Sequence, residues 1–410
     1  MVAYGPARTR EKSATTNPWS GSGAIEGRRL QSLDLATLVV SDLHLGASSQ
    51  ADLLRRPELR RHLIDALRDG VERLVILGDA LELREVPVRD AAAHAIPLLR
   101  EAGEALGPAG EIVMLGGNHD HALLAGWSEA QLMHQAPHPM ALSNDIAPRD
   151  AGPLGEALAE AAAPARLRFA YPGIWLRDDV YGLHGHYLDV HTQVPTIERL
   201  AAGTMQRFVT PLPGDGRATP DDYEAVLAPL YSWMFALAQR SRDGVVRAGS
   251  RSSARAWVSL TTEPRGIAQR ARATATKGAF TAAVAAVSAA GLGPVKAKLS
   301  GPALRNGSIW GMGEVLRRLG VQADHVVFGH THRSGPWPAD DPAEWRAPTG
   351  ARLHNTGSWV YQQHFITATP HASPYWPGTA VRIGASGPPE LVRVLPASVS
   401  RAEITPPARA

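Results

Sequence analysis

Leu74-Val75-Ile76-Leu77-Gly78-Asp79 decides the fold class, because a short apolar run ends there in a glycine and a carboxylate. Short β-branched runs bounded by glycine are typical of buried strands. The arrangement recurs where Val39-Val40 leads to Asp42, Ile112 to Leu115 leads to Asn118, and Val326 to Phe328 leads to His330. Open α/β sheets build their sites at the carboxyl ends of strands. The sequence therefore predicts an α/β protein whose polar motifs lie at strand ends.

Helices are predicted between these strands. Leucine and isoleucine recur near helical spacing from Asp52 to Arg68. A second helix is predicted from Arg89 to Leu106, where Pro97 would kink or divide it. Strand–helix–strand alternation favours a parallel sheet with right-handed crossovers. Further strands are predicted at Leu167 to Ala170, Ile174 to Arg177, Val180 to Leu183, Arg352 to Asn355 and Ala380 to Ile383.

The chain divides into a split core and a long insertion. Residues 33–190 and 320–395 carry the strand patterns, whereas residues 191–319 lack them and are helical by composition. An insertion of this length between two motifs is expected to form a cap or lid over the site. The composition of residues 1–32 predicts a disordered extension, and that of residues 396–410 predicts a flexible tail. Helices are expected within the insertion at Glu198 to Phe208, Asp221 to Arg240 and Gly266 to Ala290.

The composition narrows the kinds of site. The 410 residues include no cysteine, which excludes disulfides, thiolate metal sites and a cysteine nucleophile. The first thirty residues lack the apolar stretch of a signal peptide. The longest apolar stretch of low charge, Ala279 to Gly293, is shorter than the ~20 residues that cross a bilayer. We therefore expect no transmembrane segment and a cytoplasmic protein.

Five short polar motifs follow one another along the chain. In chain order they are Asp42-Leu43-His44, Gly78-Asp79, Gly117-Asn118-His119-Asp120, His184-Gly185-His186 and Gly329-His330-Thr331-His332. Carboxylates, an amide oxygen and imidazoles are ligands for hard or borderline divalent metals. Hydrolysis of a phosphoester suits two metals ~3.5–4 Å apart, which a shared carboxylate can hold. Asp79 is the natural bridge, because it follows a strand directly and Gly78 lets the backbone turn.

The motif order resembles that of the calcineurin-like metallophosphoesterases, whose pattern is D-x-H, G-D, G-N-H-D or G-N-H-E, a later H, and G-H-x-H. The resemblance spans residues 42–332. It implies a four-layer αββα sandwich, with a large helical insertion in this chain, and a dinuclear metal centre at the sheet edge. It further implies in-line attack on phosphorus by a metal-bridging hydroxide. The expected cofactors are two divalent metal ions, with Mn first and Fe, Zn or Co as alternatives.

The resemblance also implies a role for each site residue. The expected ligands are Asp42, His44 and His332 on one metal, Asn118, His184 and His330 on the other, with Asp79 shared. His119 would donate a proton to the leaving group or stabilise the transition state. Asp120 is included in the catalytic set, although orientation of its loop is the favoured role.

Two positions leave alternatives open. His184 is preferred over His186 and His191 as the lone histidine ligand because it follows a strand directly. Asn355 follows a strand too, and it either hydrogen-bonds a ligand loop or occupies a plain turn.

The substrate is predicted only by class. It is a phosphomonoester, phosphodiester or pyrophosphate of a small molecule, a nucleotide or a lipid-linked group. Residues 41–45 and 78–82 are similar to the UDP-2,3-diacylglucosamine hydrolase branch, a nucleotide pyrophosphatase. That branch usually has Arg where His119 stands and Asp where His186 stands, which argues against that substrate. Leu81 to Arg84 replaces the Asp-Arg-Gly of protein Ser/Thr phosphatases and argues against a protein substrate.

The charge and aromatic content of the chain bear on contact with nucleic acid or a membrane. The formal net charge is +3, and the arginines of the insertion are interleaved with few aromatic residues. This favours a solvated helical face over a nucleic-acid groove, while peripheral contact with an anionic membrane stays open. A non-catalytic metal-binding scaffold is the alternative to an enzyme, and the completeness of the ligand set argues against it. The sequence leaves the oligomeric state open.

Overall fold

The computed structural model describes residues 36–133, 139–192, 197–214, 216–240, 301–366 and 370–407. Over these residues the protein is mixed α/β, with one large, mostly parallel sheet and helices on both sides of it. This confirms the predicted α/β class. The extension predicted at residues 1–32 and the helix predicted from Gly266 to Ala290 lie outside the described residues.

Eleven strands form the sheet. They are β1 (Thr37–Val40), β2 (Arg73–Ile76), β3 (Glu111–Leu115), β4 (Ser143–Ile146), β5 (Arg166–Arg177), β6 (Val180–Leu183), β7 (His325–Phe328), β8 (Ser334–Gly335), β9 (Arg352–Thr356), β10 (Thr379–Ile383) and β11 (Glu390–Arg393). Their order is β11-β10-β1-β2-β3-β5-β6-β7-β9-β8, and β4 pairs with β5. Strands β1, β2, β3 and β5 are parallel neighbours, as are β6, β7 and β9.

Strand β5 joins two halves of the sheet. Its first part pairs in parallel with β3, from Glu111 opposite Arg166 to Leu115 opposite Ala170. Its second part pairs antiparallel with β6, beginning with Gly173 opposite Leu183. The sequence predicts two separate strands in this region, because Pro172 and Gly173 interrupt the apolar pattern. The structure keeps them in one strand, where the two parts have different partners.

The described helices are α1 (Pro57–Arg68), α2 (Val88–Leu106), α3 (Ala125–Leu132), α4 (Pro153–Ala161), α5 (Ile197–Phe208), α6 (Pro220–Arg240), α7 (Gly301–Leu319) and α8 (Arg401–Ile404). Helices α2, α5 and α6 begin within one residue of the predicted positions. Pro97 lies inside α2 and does not divide it. Its missing N–H affects the carbonyl of Ala93, which is exposed and can bond to water instead. None of the described helices is both long enough and apolar enough to span a bilayer.

Three apolar clusters pack against the sheet. The first joins α1, α2 and α4 to strands β1 to β3, and the second joins α5, α6 and α7 to β6 and β7. The third consists mainly of strand residues and draws on both halves of the sheet. Leu38 belongs to the first cluster and its neighbour Val39 to the third, because successive strand side chains point to opposite faces. Burial on both faces explains the continuous apolar runs of these strands.

The C-terminal segment packs on the core as far as it is described. Val399 and Ile404 are buried in an apolar cluster with Trp376. Ser400 and Glu403 form a capping box at the start of α8. The sequence predicts a flexible tail from residue 396, and within it the structure has a short helix and two buried apolar residues. Two apolar residues in a Pro-, Ala- and Ser-rich stretch are too weak a pattern to predict this docking.

Candidate metal centre

The predicted ligands meet at one edge of the sheet, in the loops that follow β1, β2, β3, β6 and β7. Among the described residues, three groups of three each bring their ligand atoms within 4.8 Å of one another; one is His44, Glu82 and His119, and the other two consist of predicted ligands alone. These are Asp42, His44 and His332 in the first group, and Asp79, His184 and His330 in the second. Asn118 lies with the second group, since its Oδ1 is 3.1 Å from Nε2 of His184. The parallel order of the strands thus places residues far apart in the chain at one site.

The first group is centred on Asp42. Its Oδ1 lies 3.3 Å from Nε2 of His332 and 3.9 Å from Nε2 of His44. The two imidazole Nε2 atoms lie 3.1 Å apart. A carboxylate oxygen and two ring nitrogens therefore converge on one point.

Asp79 of the second group also lies close to the first group. Oδ2 of Asp79 lies 3.3 Å from Nε2 of His184 and 3.6 Å from Nε2 of His44. Oδ1 of Asp79 accepts the backbone N–H of His119 at 2.7 Å. One oxygen of Asp79 is thus held by the backbone, and the other lies between the two groups, as the bridging role requires.

Polar contacts behind the imidazoles indicate which ring nitrogen faces the centre. Nδ1 of His184 donates to the carbonyl of Leu77 at 2.7 Å, and Nδ1 of His44 lies 3.0 Å from Glu82. Nε2 of His330 lies 3.0 Å from Asp189. When one ring nitrogen carries the proton, the other offers a lone pair. Facing lone pairs and carboxylate oxygens repel one another unless a cation lies between them, so the donor set fits divalent metal ions.

Asn118 can present either amide atom to the centre. With the oxygen inward, Oδ1 lies 3.1 Å from both His184 and His330. With the amide turned, the nitrogen would face these rings and the oxygen would accept from Arg84 at 2.7 Å. Hydrogen bonding alone favours the turned amide, whereas a cation at the centre selects the inward oxygen.

The backbone at five predicted ligands has a left-handed conformation. The φ angles are 54° at Asp42, 46° at His44, 52° at Asp79, 66° at His330 and 57° at His332. Among the other non-glycine residues that the structure describes, only Gln50 shares this region. Such a conformation is unfavourable for an L-residue and is retained where a site requires it. The strain therefore coincides with the predicted ligands.

Two motif glycines make room for the carboxylates. A Cβ at Gly117 would lie 2.2 Å from Oδ1 of Asp79, and one at Gly329 would lie 2.5 Å from Oδ2 of Asp42. Real side chains do not tolerate such distances. These two glycines are needed because a neighbouring loop passes directly over them.

Asp120 holds two ligand loops together. It is fully buried, and its carboxylate accepts N–H groups from Ala80 and Gly117 at 2.7 Å, and from Asp79 and Leu81 at 3.2 Å. Burial and the Asp79 carboxylate raise the pKa of Asp120. The sequence places Asp120 in the catalytic set. Its oxygens accept backbone N–H groups from both loops, and orientation of its loop is the role that the sequence favours for it.

Glu82 links His119 to the centre, and the sequence patterns do not single it out as a site residue. Its Oε2 lies 2.7 Å from Nδ1 of His119 and 3.0 Å from Nδ1 of His44. Burial favours the neutral acid, but His119 and His44 hold the pKa of Glu82 well below its ordinary value. The His119 side chain is 24% exposed, whereas that of His184 is fully buried. His119 is thus oriented by a carboxylate and open to a substrate.

Asn355 fixes the loop that carries His330 and His332. Its Nδ2 donates to the carbonyl of Gly329 at 2.8 Å and to Oγ1 of Thr331 at 3.0 Å. Of the two roles left open by the sequence, the hydrogen bond to a ligand loop is the one observed.

His186 and His191 do not join the centre. Nε2 of His186 lies 3.9 Å from Glu224, and Nε2 of His191 lies 2.7 Å from the hydroxyl of Tyr223. Both therefore contact helix α6 of the insertion. The structure brings His184 to the metal-binding edge, as the sequence predicts.

A substitution at Asp189 tests whether its carboxylate supports the ring of His330. Asp189→Asn is expected to weaken metal binding about 10- to 100-fold, because the ring of His330 loses its carboxylate partner. Calorimetric titration of the stripped protein with Mn²⁺ measures this. Asp179→Asn, which disturbs an ion pair with Arg177 away from the centre, is the matched control. Equal affinities for the two variants would contradict the role given to Asp189.

Glu224 anchors the insertion beside the centre. Its carboxylate accepts hydrogen bonds from Tyr187 at 2.7 Å and from Tyr171, and it lies 2.8 Å from Nε2 of His121. The side chain is 14% exposed. A charge so placed connects α6 to three core residues near the metal-binding edge.

Glu224→Ala is expected to lower the free energy of unfolding by about 3–5 kcal/mol, since buried donors lose their partner. Urea denaturation followed by circular dichroism measures the change. Ser232→Ala, at an exposed position of the same helix, should change it by less than about 0.5 kcal/mol. An equally small effect for Glu224→Ala would show that this contact does not hold the helix.

Comparison with protein-family models and with curated proteins gave no match to this sequence. The structure itself shows groups of histidine and aspartate that could bind metal ions, gathered at the sheet edge.

Proposed function

We propose that this chain is a metal-dependent hydrolase of phosphoric esters, of the calcineurin-like metallophosphoesterase kind. The observation that carries the proposal is the position of Asp79 between two groups of acceptors. Asp42, His44 and His332 would hold one cation, and Asn118, His184 and His330 the other. The residue types, order and strand positions all agree with this use.

The packing of the apolar clusters supports the four-layer αββα sandwich that the proposal implies. One apolar cluster draws on both halves of the sheet, and the other two lie under helices on either side. A four-layer αββα sandwich accounts for all three clusters. The insertion, through α5, α6 and α7, would then cover the sheet half that contributes His184 and His330.

The chemistry of the donor atoms indicates which metal ions the site would favour. Oxygen and nitrogen ligands without sulfur suit Mn, and also Fe, Zn or Co. Two such cations, when bound, would place positive charge beside the phosphoryl oxygens and lower the pKa of a water molecule. The chain's own contribution is to fix the ligands, which it does through Leu77, Glu82 and Asp189 behind the imidazoles.

His119 is the residue we assign to proton transfer. Glu82 accepts from its Nδ1, which fixes the ring and leaves Nε2 for a leaving-group oxygen. The backbone N–H of His119 is bound to Asp79, so the ring is tied to the bridging residue. A proton from Nε2 to the ester oxygen would avoid the release of an alkoxide.

The proposal is tested with bis-p-nitrophenyl phosphate and p-nitrophenyl phosphate, on protein stripped of metal and then supplied with Mn²⁺. We expect turnover that depends on added metal, and the ratio of the two rates indicates diester or monoester chemistry. Asp79→Asn protein prepared in parallel controls for contaminating phosphatase. Metal-loaded protein that hydrolyses neither these esters nor nucleotide pyrophosphates would contradict the hydrolase and favour a metal-binding scaffold.

A further inference from the structure

A cleft of about 200 Å³ lies beside the metal-binding edge. His330 and Thr331, from the loop after β7, line it on the side of the centre. Arg305, Ser308 and Ile309 of helix α7 line it from the insertion. A molecule held at the centre would therefore have this cleft within reach.

Flat aromatic surfaces make up much of the wall. Phe365 and Tyr375 line the cleft with their rings stacked, 5.0 Å between centroids and 21° between planes. Trp345 lines it as well, and the guanidinium of Arg333 lies 5.4 Å from the centre of its ring. Planar groups are favoured partners for such surfaces, through aromatic stacking and cation–π contact.

The arginines of the cleft are matched by carboxylates. Arg333 makes two bonds to Asp340, at 2.9 and 2.6 Å, and Arg305 lies 2.6 Å from Glu344. Their charge is therefore offset, and they are poorly suited to take a phosphate away from the centre. Thr192, Ser308 and Thr331 add small polar residues to the lining of the cleft.

The size of the cleft limits the ligand. About 200 Å³ is less than the ~300–1,000 Å³ of clefts that enclose a whole drug-sized ligand. A cleft of this size suits one ring system.

We propose that this cleft binds the planar, hydrogen-bonding ring of the substrate, so that the enzyme acts on phosphate esters of the nucleotide class. Preferential hydrolysis of nucleotides, the catalytic part of the inference, rests on the proposed hydrolase. Binding of the nucleobase, the binding part, rests on the cleft alone. The phosphate lies at the metal-binding edge, and the nucleobase lies between α7 and the Phe365–Tyr375 pair.

The catalytic part is tested with AMP and ribose 5-phosphate, which share the same ester and differ by the ring. Because stacking contributes about 1–3 kcal/mol per base, kcat/KM should be about 10- to 100-fold higher for AMP, or for another nucleoside 5′-monophosphate. Ser308→Trp, which fills the cleft, should bring this ratio close to one. Asn306→Trp, the same side chain at an exposed position of α7, is the control and should keep the ratio.

The binding part is tested with adenosine, guanosine, cytidine and uridine in equilibrium titrations, which need no turnover. At least one nucleoside should bind to the parent and to Asn306→Trp, and it should bind at least tenfold more weakly to Ser308→Trp. Failure of all four to bind the parent would overturn the nucleobase site. Equal hydrolysis of nucleotide and ribose 5-phosphate would overturn it while leaving the hydrolase intact. Nucleoside binding without any metal-dependent hydrolysis would support the site and contradict the hydrolase.

Discussion

Asp79→Asn is expected to lose bound metal and to hydrolyse phosphoesters roughly 10³-fold more slowly than the parent. The bridging position requires a negative oxygen, and Oδ2 of Asp79 is close to both His44 and His184. An amide at this position removes that charge. Metal ions contribute several kcal/mol to stabilising charge in such reactions, and each 1.36 kcal/mol is a tenfold change in rate.

The measurement combines metal analysis of the purified protein with hydrolysis of bis-p-nitrophenyl phosphate in Mn²⁺. Asp145→Asn is the matched control, because Asp145 lies on β4 and pairs with Arg168 away from the centre. Circular dichroism of the stripped proteins shows whether Asp79→Asn still folds. A folded variant that retains two metals and the parental rate would contradict the bridging role of Asp79.

The ligands are predictable because each is tied to a local pattern. Asp79 and Asn118 follow apolar runs that form β2 and β3, and parallel neighbours bring their carboxyl ends to one edge. The spacing of Asp42 and His44 places both in the loop after β1. The strand pattern is enough to place these residues at one edge, whereas their division between two metals comes from the resemblance of the motifs.

The supporting residues are not predictable in the same way. Glu82 follows no strand, and its role depends on contacts with His44 and His119, which come from other loops. Asp189 contacts His330 across the fold, and Glu224 reaches the core from a helix whose orientation the sequence does not specify. Polar residues in helices and turns resemble ordinary surface residues until the fold supplies their partners.

Rules based on local sequence also misjudge one helix and one strand. Pro97 does not divide α2, because the carbonyl left without a partner belongs to Ala93, at an exposed position where water can bond to it. Strand β5 continues through Pro172, where the two parts of the strand have different neighbours. In each case tertiary contacts outweigh a local preference.

His119→Ala is expected to keep both metals and to lose about 10²- to 10⁴-fold in rate, the contribution typical of a positioned proton donor. The two proposed ligand groups do not include the ring of His119, which is tied to them through Glu82. The loss should therefore depend on the leaving group. A p-nitrophenolate needs little help from a proton donor, whereas an alkoxide needs a proton as the ester bond breaks.

Hydrolysis of a series of esters from p-nitrophenyl to alkyl, in parent and His119→Ala protein, measures this dependence. The ratio of parental to variant rate should rise steadily toward the alkyl esters. His62→Ala, on helix α1 and outside the proposed ligand groups, should leave the ratio at one across the series. A uniform loss for all esters would indicate that His119 stabilises charge on phosphorus and does not protonate the leaving group. Parental rates for every ester would remove His119 from the mechanism and leave its contact with Glu82 as a purely structural one.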